Sequence, residues 1–362
     1  MKIIISGGGT GGHLYPALAI ANALKEKGIK DILFVGAKGK IEMEKVPKAG
    51  YPIEGLWISG FHRQRMWRNI SFPFKLISSL WKARSIIEKF EPDVVVGVGG
   101  YASGPLLKMA QRKSIPTLIQ EQNSYPGITN KLLAKGARKI CVAYQNMNKY
   151  FDENKIVFTG NPVRKDLADL EHLRGEAINY FGLDRNKKTL LIFGGSLGAR
   201  SINKAVFHNY DLIKDQNEIQ VLWQCGKIYY DEYKDSKMSN LSHVKILPFI
   251  DRMDLAYAVA NAIVCRAGAL TISEVCLTAK PVVLVPSPNV AEDHQTQNAM
   301  ALINNNAAWL VKDKDANEQM IKKAFELIKD EKTQKSLSEA IFKMARPNAR
   351  EDIANEILNL LK

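Results

Sequence analysis

The chain has 362 residues, 46% apolar and 24% charged, with 51 basic against 37 acidic side chains and a formal net charge of +14. That length predicts two domains, each large enough to bury its own core, and the composition is that of an ordinary globular protein and excludes a disordered one. The positive balance favours an anionic partner: nucleotide, nucleic acid or acidic lipid surface.

Met1-Lys2 and three isoleucines meet glycine too soon to form the apolar region of a signal peptide. No apolar run approaches the ~20 residues of a spanning helix, so the expectation is an intracellular chain whose membrane association, if any, is peripheral. Cys141, Cys225, Cys265 and Cys276 form no C-x-x-C pair and have no histidine at zinc-ligand spacing, which predicts reduced core residues. The run KIIIS leads directly into GGGTGGHLYP, Gly7 to Pro16, and further apolar runs follow as DILFVG, DVVVGVGG, TLLIFGG, NAIVCRAG and PVVLVP, each ahead of a helical pattern. Strands alternating with helices predict an α/β protein with parallel sheets. A strand and glycine-rich turn opens the chain and another begins afresh at TLLIFGGSLGAR, Thr189 to Arg200, so two Rossmann-like halves are expected.

The boundary is expected near TGNPVRKDL, where Asn161-Pro162 breaks regular structure. The domains are then residues 1–163, residues 164–340, and a terminal helix within 341–362. In that helix EDIANEILNLLK sets Ile353, Ile357, Leu358 and Leu361 on one face, which requires a partner surface.

Gly7, Gly9 and Gly12 match the G-x-G-x-x-G spacing of a dinucleotide turn, but the second strand ends in Gly36-Ala37-Lys38, without the acidic residue that would take the ribose hydroxyls. Five glycines in six residues, then His13, exceed what a tight turn requires and suggest a bulky ligand resting on the backbone. GGSLGAR places Gly194, Gly195, Ser196 and Gly198 at a second strand-to-helix turn, and RAGALTISE, Arg266 to Glu274, forms a third. Helix N-termini offer N–H groups and partial positive charge suited to a diphosphate, and Arg164 stands at the entrance of this half. Asp313 and Asp315 form an Asp-x-Asp pair before a helical stretch and read as helix caps, so neither a dedicated metal site nor a cofactor is expected.

Between Gly55 and Ile87 there is no acidic residue, while Arg63, Arg65, Arg68, Lys75, Lys82 and Arg84 interleave with Phe61, Met66, Trp67, Phe72, Phe74, Leu76 and Trp81. This pattern suits an anionic lipid interface. A basic helix with its apolar face in the core is the alternative.

Taken together, GGGTGGH, GGYASGP, EQNSYPGITNK, GNPVR, GGSLGAR, RAGALTISE and EDHQTQNA resemble the MurG-type glycosyltransferases of peptidoglycan synthesis (glycosyltransferase family 28) in type, order and coverage of nearly the whole chain. The resemblance implies the GT-B fold, two Rossmann-like parallel-sheet domains facing a cleft, with the last helix returning to the first domain. It implies inverting transfer of N-acetylglucosamine from UDP-N-acetylglucosamine to lipid I, undecaprenyl-diphosphoryl-N-acetylmuramoyl-pentapeptide, giving lipid II. The first domain would take the acceptor and face the membrane, and the second would bind the UDP-sugar. Carried over by residue, Thr10, Gly11, Gly12 and Asn123 would contact the donor sugar, Arg164 and Ser196 the nucleotide diphosphate, and Ile250 the uracil. Ala269, Leu270, Thr271, Ile272, Ser273 and Glu274 would take phosphate and ribose, and Gln295 the sugar hydroxyls. Tyr101 and Asn130 would lie on the acceptor side. Gln120 stands where many members carry His, and Leu197 where Gln is common.

The expected partners are therefore UDP-N-acetylglucosamine, lipid I and an anionic membrane surface at the cytoplasmic face of the bacterial cell membrane. No nucleic acid is expected, since the chain carries no recognisable nucleic-acid module. Another UDP-sugar enzyme of the same fold, a lipid glycosyltransferase or a non-hydrolysing epimerase, is the alternative. Inverting transfer needs a base for the nucleophilic hydroxyl. His13 leads, because imidazole titrates near neutrality and a helix N-terminus keeps it uncharged; Glu121 in the EQN segment is its rival.

Overall fold

The computed structural model describes residues 1–60, 70–163, 167 and 169–361. The chain forms two compact units, Met1–Val163 with Asn348–Lys362, and Arg164–Pro347. In the first, strands β1 (Lys2–Ser6), β2 (Asp31–Ala37), β3 (Ile53–Leu56), β4 (Val94–Gly97), β5 (Thr117–Glu121), β6 (Lys139–Val142) and β7 (Ile156–Phe158) make a sheet of order β3-β2-β1-β4-β5-β6-β7. Its pairings are parallel. The apolar runs are unbroken because both faces of a parallel sheet are covered. Ile3 and Ile5 point to one face, against Leu14, Ala17 and Ile20 of the helix Gly11–Glu26, while Ile4 points to the other, against Leu106 of the helix Ser103–Arg112.

The terminal helix Ala349–Asn359 belongs to this first unit: Ile353, Ala354 and Ile357 join the core beneath Ile3 and Ile5, with Leu358 and Leu361 packed at its margin. Arg350 ties it down by donating to both Glu26 oxygens at 2.9 and 2.6 Å.

In the second unit, strands β8 (Lys188–Phe193), β9 (Ile219–Gln224), β10 (Val244–Leu247), β11 (Ala262–Cys265), β12 (Val282–Leu284) and β13 (Trp309–Leu310) give a sheet of order β10-β9-β8-β11-β12-β13. Its pairings are parallel as well. The α/β class with two parallel sheets expected from the sequence is thus the class observed. The four cysteines are buried and free, and among the described residues no helix is long and apolar enough to cross a membrane.

Both sheets share one topological feature. The strand that opens each unit, β1 or β8, has the next strand in sequence on one side and a strand reached by a long crossover, β4 or β11, on the other. Loops leaving the carboxyl ends of such a pair diverge and leave a crevice, which is where open α/β sheets bind ligands.

Candidate active site

In the first unit the loops that follow β1, β4 and β5 meet at this crevice. The β1 loop runs through Gly7–Thr10 into the helix Gly11–Glu26, with Thr10 in the N-cap position, extended, and making no side-chain cap bond. The amides at this helix start are therefore not claimed by the Thr10 hydroxyl, which lies 3.2 Å from His13 Nδ1. The His13 ring lies against Gly99 of the β4 loop, where a Cβ would fall 2.7 Å from its Cδ2 and 2.9 Å from its Nε2. Tyr101, half exposed, lies next to Gly9 and fills the space beside Gly60.

The β5 loop is organised by Glu121, which is 1% exposed. Its Oε1 accepts from the Asn123 N–H at 3.0 Å and Asn123 Nδ2 at 3.3 Å; its Oε2 accepts from the Gly127 N–H at 3.0 Å and Asn130 Nδ2 at 2.8 Å. Four donors occupy the roughly four acceptor sites of a carboxylate. Burial raises the Glu121 pKa, against the lowering effect of those bonds. Asn130 is buried beside it, its Oδ1 without a hydrogen-bond partner. Gln120 is fully buried, its Nε2 donating to Asn161 at 3.0 Å and its Oε1 accepting from Gln122, so the departure from His is absorbed into an internal amide network.

In the second unit GGSLGAR follows β8. Gly198 has φ +78 and abuts the Cys225 carbonyl, leaving no room for a Cβ. Ser196 and Leu197 are exposed at the tip of this turn. Beside it lies a cavity of about 510 Å³ whose lining includes Gly194, Arg200, Lys204, Arg266 and Gln295. Gln295 accepts from the Ser287 N–H at 2.9 Å.

Arg266 donates to Asp313 at 2.5 Å and to the Ser201 hydroxyl at 2.7 Å, and Ser201 in turn donates to Asp313 at 2.6 Å. The expected capping role for the Asp-x-Asp pair is corrected here. Asp313 is the counter-charge of a mostly buried arginine, and Asp315 occupies an N-cap position without a side-chain cap bond.

The turn after β11 opens the helix Ala269–Thr278. Ala269, Leu270 and Thr271 form its first turn, whereas Ile272 is buried with its N–H bonded to the Gly268 carbonyl, and the Ser273 hydroxyl donates back to Ala269 O. Glu274 accepts from the Tyr257 hydroxyl at 2.9 Å. Ile250 lines a separate cavity of about 490 Å³ with Phe249 and Asp251. Arg164 lies outside the described residues.

Sequence reasoning missed Arg266 as a basic group of the β8 crevice, although it stood inside a singled-out motif, and it missed Glu42. The carboxylate absent from the end of β2 is supplied from five residues further on. Glu42 is fully buried, yet it accepts backbone N–H groups of the chain itself and leaves the dinucleotide reading without its acid.

The pattern of the glycosyltransferase family 28 N-terminal domain matches residues 3–142, and that of the family 28 C-terminal domain matches residues 189–355. The chain is 54% identical over 363 residues to a Flavobacterium psychrophilum protein named UDP-N-acetylglucosamine–N-acetylmuramyl-(pentapeptide) pyrophosphoryl-undecaprenol N-acetylglucosamine transferase, covering 100% of this chain and 98% of that one. A protein of the same name from Cytophaga hutchinsonii is 53% identical over 361 residues, covering 99% of this chain and 97% of that one. Among solved structures, MurG of Acinetobacter baumannii superposes with a TM-score of 0.78 at 27% identity, covering 99% of each chain. With both units matched, the chain belongs to glycosyltransferase family 28, among its MurG-type N-acetylglucosamine transferases.

Proposed function

We propose that this chain transfers N-acetylglucosamine from UDP-N-acetylglucosamine to undecaprenyl-diphosphoryl-N-acetylmuramoyl-pentapeptide, yielding lipid II and UDP. The observation that carries this is the identity of 54% over the whole chain to a relative bearing that name, a span that includes the crevice loops of both units.

The first unit takes the acceptor and the second the donor. The uracil lies by Ile250, the diphosphate meets Ser196, Arg164, Arg266 and the amides of Ala269, Leu270 and Thr271, the ribose hydroxyls meet Glu274, and Gln295 contacts the sugar. Ile272 and Ser273 support this turn from behind. On the first unit, Thr10, Gly11, Gly12 and Asn123 contact the transferred sugar, with Tyr101 and Asn130 on the acceptor side. An acceptor hydroxyl oxygen forms a bond to the anomeric carbon as the bond to the UDP oxygen breaks. UDP leaves with the electron pair, its growing charge met by these cations and amides. The hydroxyl proton passes to His13 Nε2. Glu121 fits this task less well, because its oxygens already accept four protein donors.

The first unit sits peripherally on an anionic membrane, at its cytoplasmic face. Ile70, Phe74, Ile77 and Trp81 are 76, 69, 55 and 71% exposed at helical spacing, whereas Phe72 and Leu76 pack on the core. Lys82 pairs with Glu54 and Arg84 with Glu88, so neither is an uncompensated cation of the patch. Phe61, Arg63, Arg65, Met66, Trp67 and Arg68 lie outside the described residues.

An assay with radiolabelled UDP-N-acetylglucosamine and a short-chain lipid I analogue tests the reading. Labelled lipid II analogue is the expected product. Its absence, with the donor epimerised instead, would make the chain a UDP-sugar epimerase, and binding of a DNA duplex in preference to UDP would point to a nucleic-acid protein.

A further inference from the structure

After β2 the chain reverses and starts the short helix Glu42–Lys48. The first side chain of that helix turns back beneath the glycine loop. Glu42 is 0% exposed; its Oε2 accepts the Gly9 N–H at 2.9 Å and its Oε1 the Ala37 N–H at 3.0 Å. Among the described residues it pairs with no cation, so these two backbone donors carry its charge. A buried carboxylate is tolerated only when such bonds are made, and bonds to an ionised acceptor are the stronger kind.

The surrounding sequence leaves room for this group. A Cβ on Gly8 would overlap the Glu42 carboxylate, and one on Gly36 would stand 2.5 Å from its Cγ. On the far side of the turn, Gly100 packs against the Gly8 carbonyl, and its neighbour Gly99 carries the His13 ring. Gly9 has φ +84, and a run of glycines has more conformational freedom to lose than any other sequence. Without a tie such a loop would sample many shapes.

We infer that Glu42 is a positioning residue of the transfer reaction: its carboxylate clamps the Gly8–Gly9 turn to the end of β2 and so presents Thr10 to His13 in one arrangement. The Gly9 N–H is thereby occupied by a carboxylate of the protein, and the substrate meets the loop from Thr10 onward. This rests on the function proposed above, so its test includes a reading that needs no substrate.

In the wild-type chain, amide hydrogen exchange should show Gly9 protected to a degree comparable with Ala37; a fast-exchanging Gly9 amide overturns the inference whatever the variants do. In Glu42→Gln the side chain keeps its shape but one of its two acceptors becomes a donor facing an N–H. Exchange at Gly9 should then quicken and kcat fall by about tenfold, the equivalent of one hydrogen bond. The affinity for UDP, which binds the second unit, should stay unchanged. Wild-type kcat together with wild-type exchange in this variant would overturn the inference, as would a loss of kcat that merely tracks the unfolded fraction. If Glu42→Gln does not fold, Glu42→Asp keeps the charge but is too short to span both donors, and the same readings apply. A wild-type chain that makes no lipid II, with Gly9 protected, counts against the proposed reaction and not against the clamp.

Discussion

Thr10 Oγ1 lies 3.2 Å from His13 Nδ1, across the first turn of the helix Gly11–Glu26. A hydroxyl that accepts the Nδ1 proton leaves the lone pair on Nε2, the tautomer that can take a proton. His13→Ala should therefore lower kcat by ~10²-fold or more, while Thr10→Val, which loses the bond that sets the tautomer along with the hydroxyl's contact to the sugar, should lower it by about tenfold. Steady-state turnover at saturating acceptor measures both. Near-normal turnover in His13→Ala would remove it as the base.

Glu121 is expected to act through the loop that it holds. Glu121→Ala deprives four donors of their acceptor, of which the Asn130 amide is buried, and should cost about 1–3 kcal/mol of stability in urea unfolding. Glu121→Gln keeps the shape and part of the bonding, and should retain most of the turnover that His13→Ala loses. The pH dependence has a definite sign. Burial raises this carboxyl above its ordinary value of 4.5 in the folded chain, so the folded state holds the proton more tightly, and this contribution to stability is lost as pH rises through the folded value. Loss of turnover in Glu121→Gln at unchanged stability would instead make the carboxylate the base.

Glu274 is braced by the Tyr257 hydroxyl at 2.9 Å. Glu274→Ala should raise the donor KM by about 10- to 100-fold, the range of hydrogen bonds to a charged group. Tyr257→Phe should raise it only a few-fold, since the carboxylate stays but is less well oriented. An unaltered donor KM in Glu274→Ala would remove the ribose assignment.

Lys280 follows the helix Ala269–Thr278, and burial, helped by the nearby Arg174 charge and opposed by Glu171, pushes its ammonium down to about 8. Below that value the amine is charged in both states and its burial cost is full. Between there and 10.5 the unfolded chain binds the proton more tightly, so stability rises with pH through this window. The shift corresponds to about 3 kcal/mol. Lys280→Met should accordingly stabilise the chain by about 2–3 kcal/mol at neutral pH, and by steadily less at alkaline pH. Unfolding curves at neutral pH and near pH 10 would show this; a gain independent of pH would contradict it.

The exposed stripe on the helix Phe72–Phe90 gives a separate test. Replacing Phe74 and Trp81 by serine should weaken binding to anionic vesicles by at least ~10²-fold, because two aromatic side chains no longer enter the interface. Turnover of a water-soluble acceptor should be retained. Charge reversal at Arg65 and Arg68 should weaken the same binding and reduce its salt dependence. Vesicle binding unchanged by all four substitutions would exclude this face.

The unbroken apolar runs KIIIS, DVVVG and TLLIF announced parallel strands, because a strand covered on both faces has no polar side to alternate with. The glycines after β1 and β8 announced the turns, because only a residue without Cβ fits where Gly198 meets the Cys225 carbonyl. Other features depend on the folded chain. Glu42 lies 33 residues from the Gly9 amide that it accepts, and Arg266 lies 47 from Asp313; no local pattern marks either pair, since they become neighbours only when the crossovers bring separate strand ends to one edge. Glu121 stood in a motif that reads as a rival base, and its burial and four donors favour a brace instead. Sequence periodicity determines which residues enter a sheet and where it turns, being a property of neighbours along the chain. The partner of a buried charge is decided by tertiary structure, because desolvation and hydrogen bonding act through space.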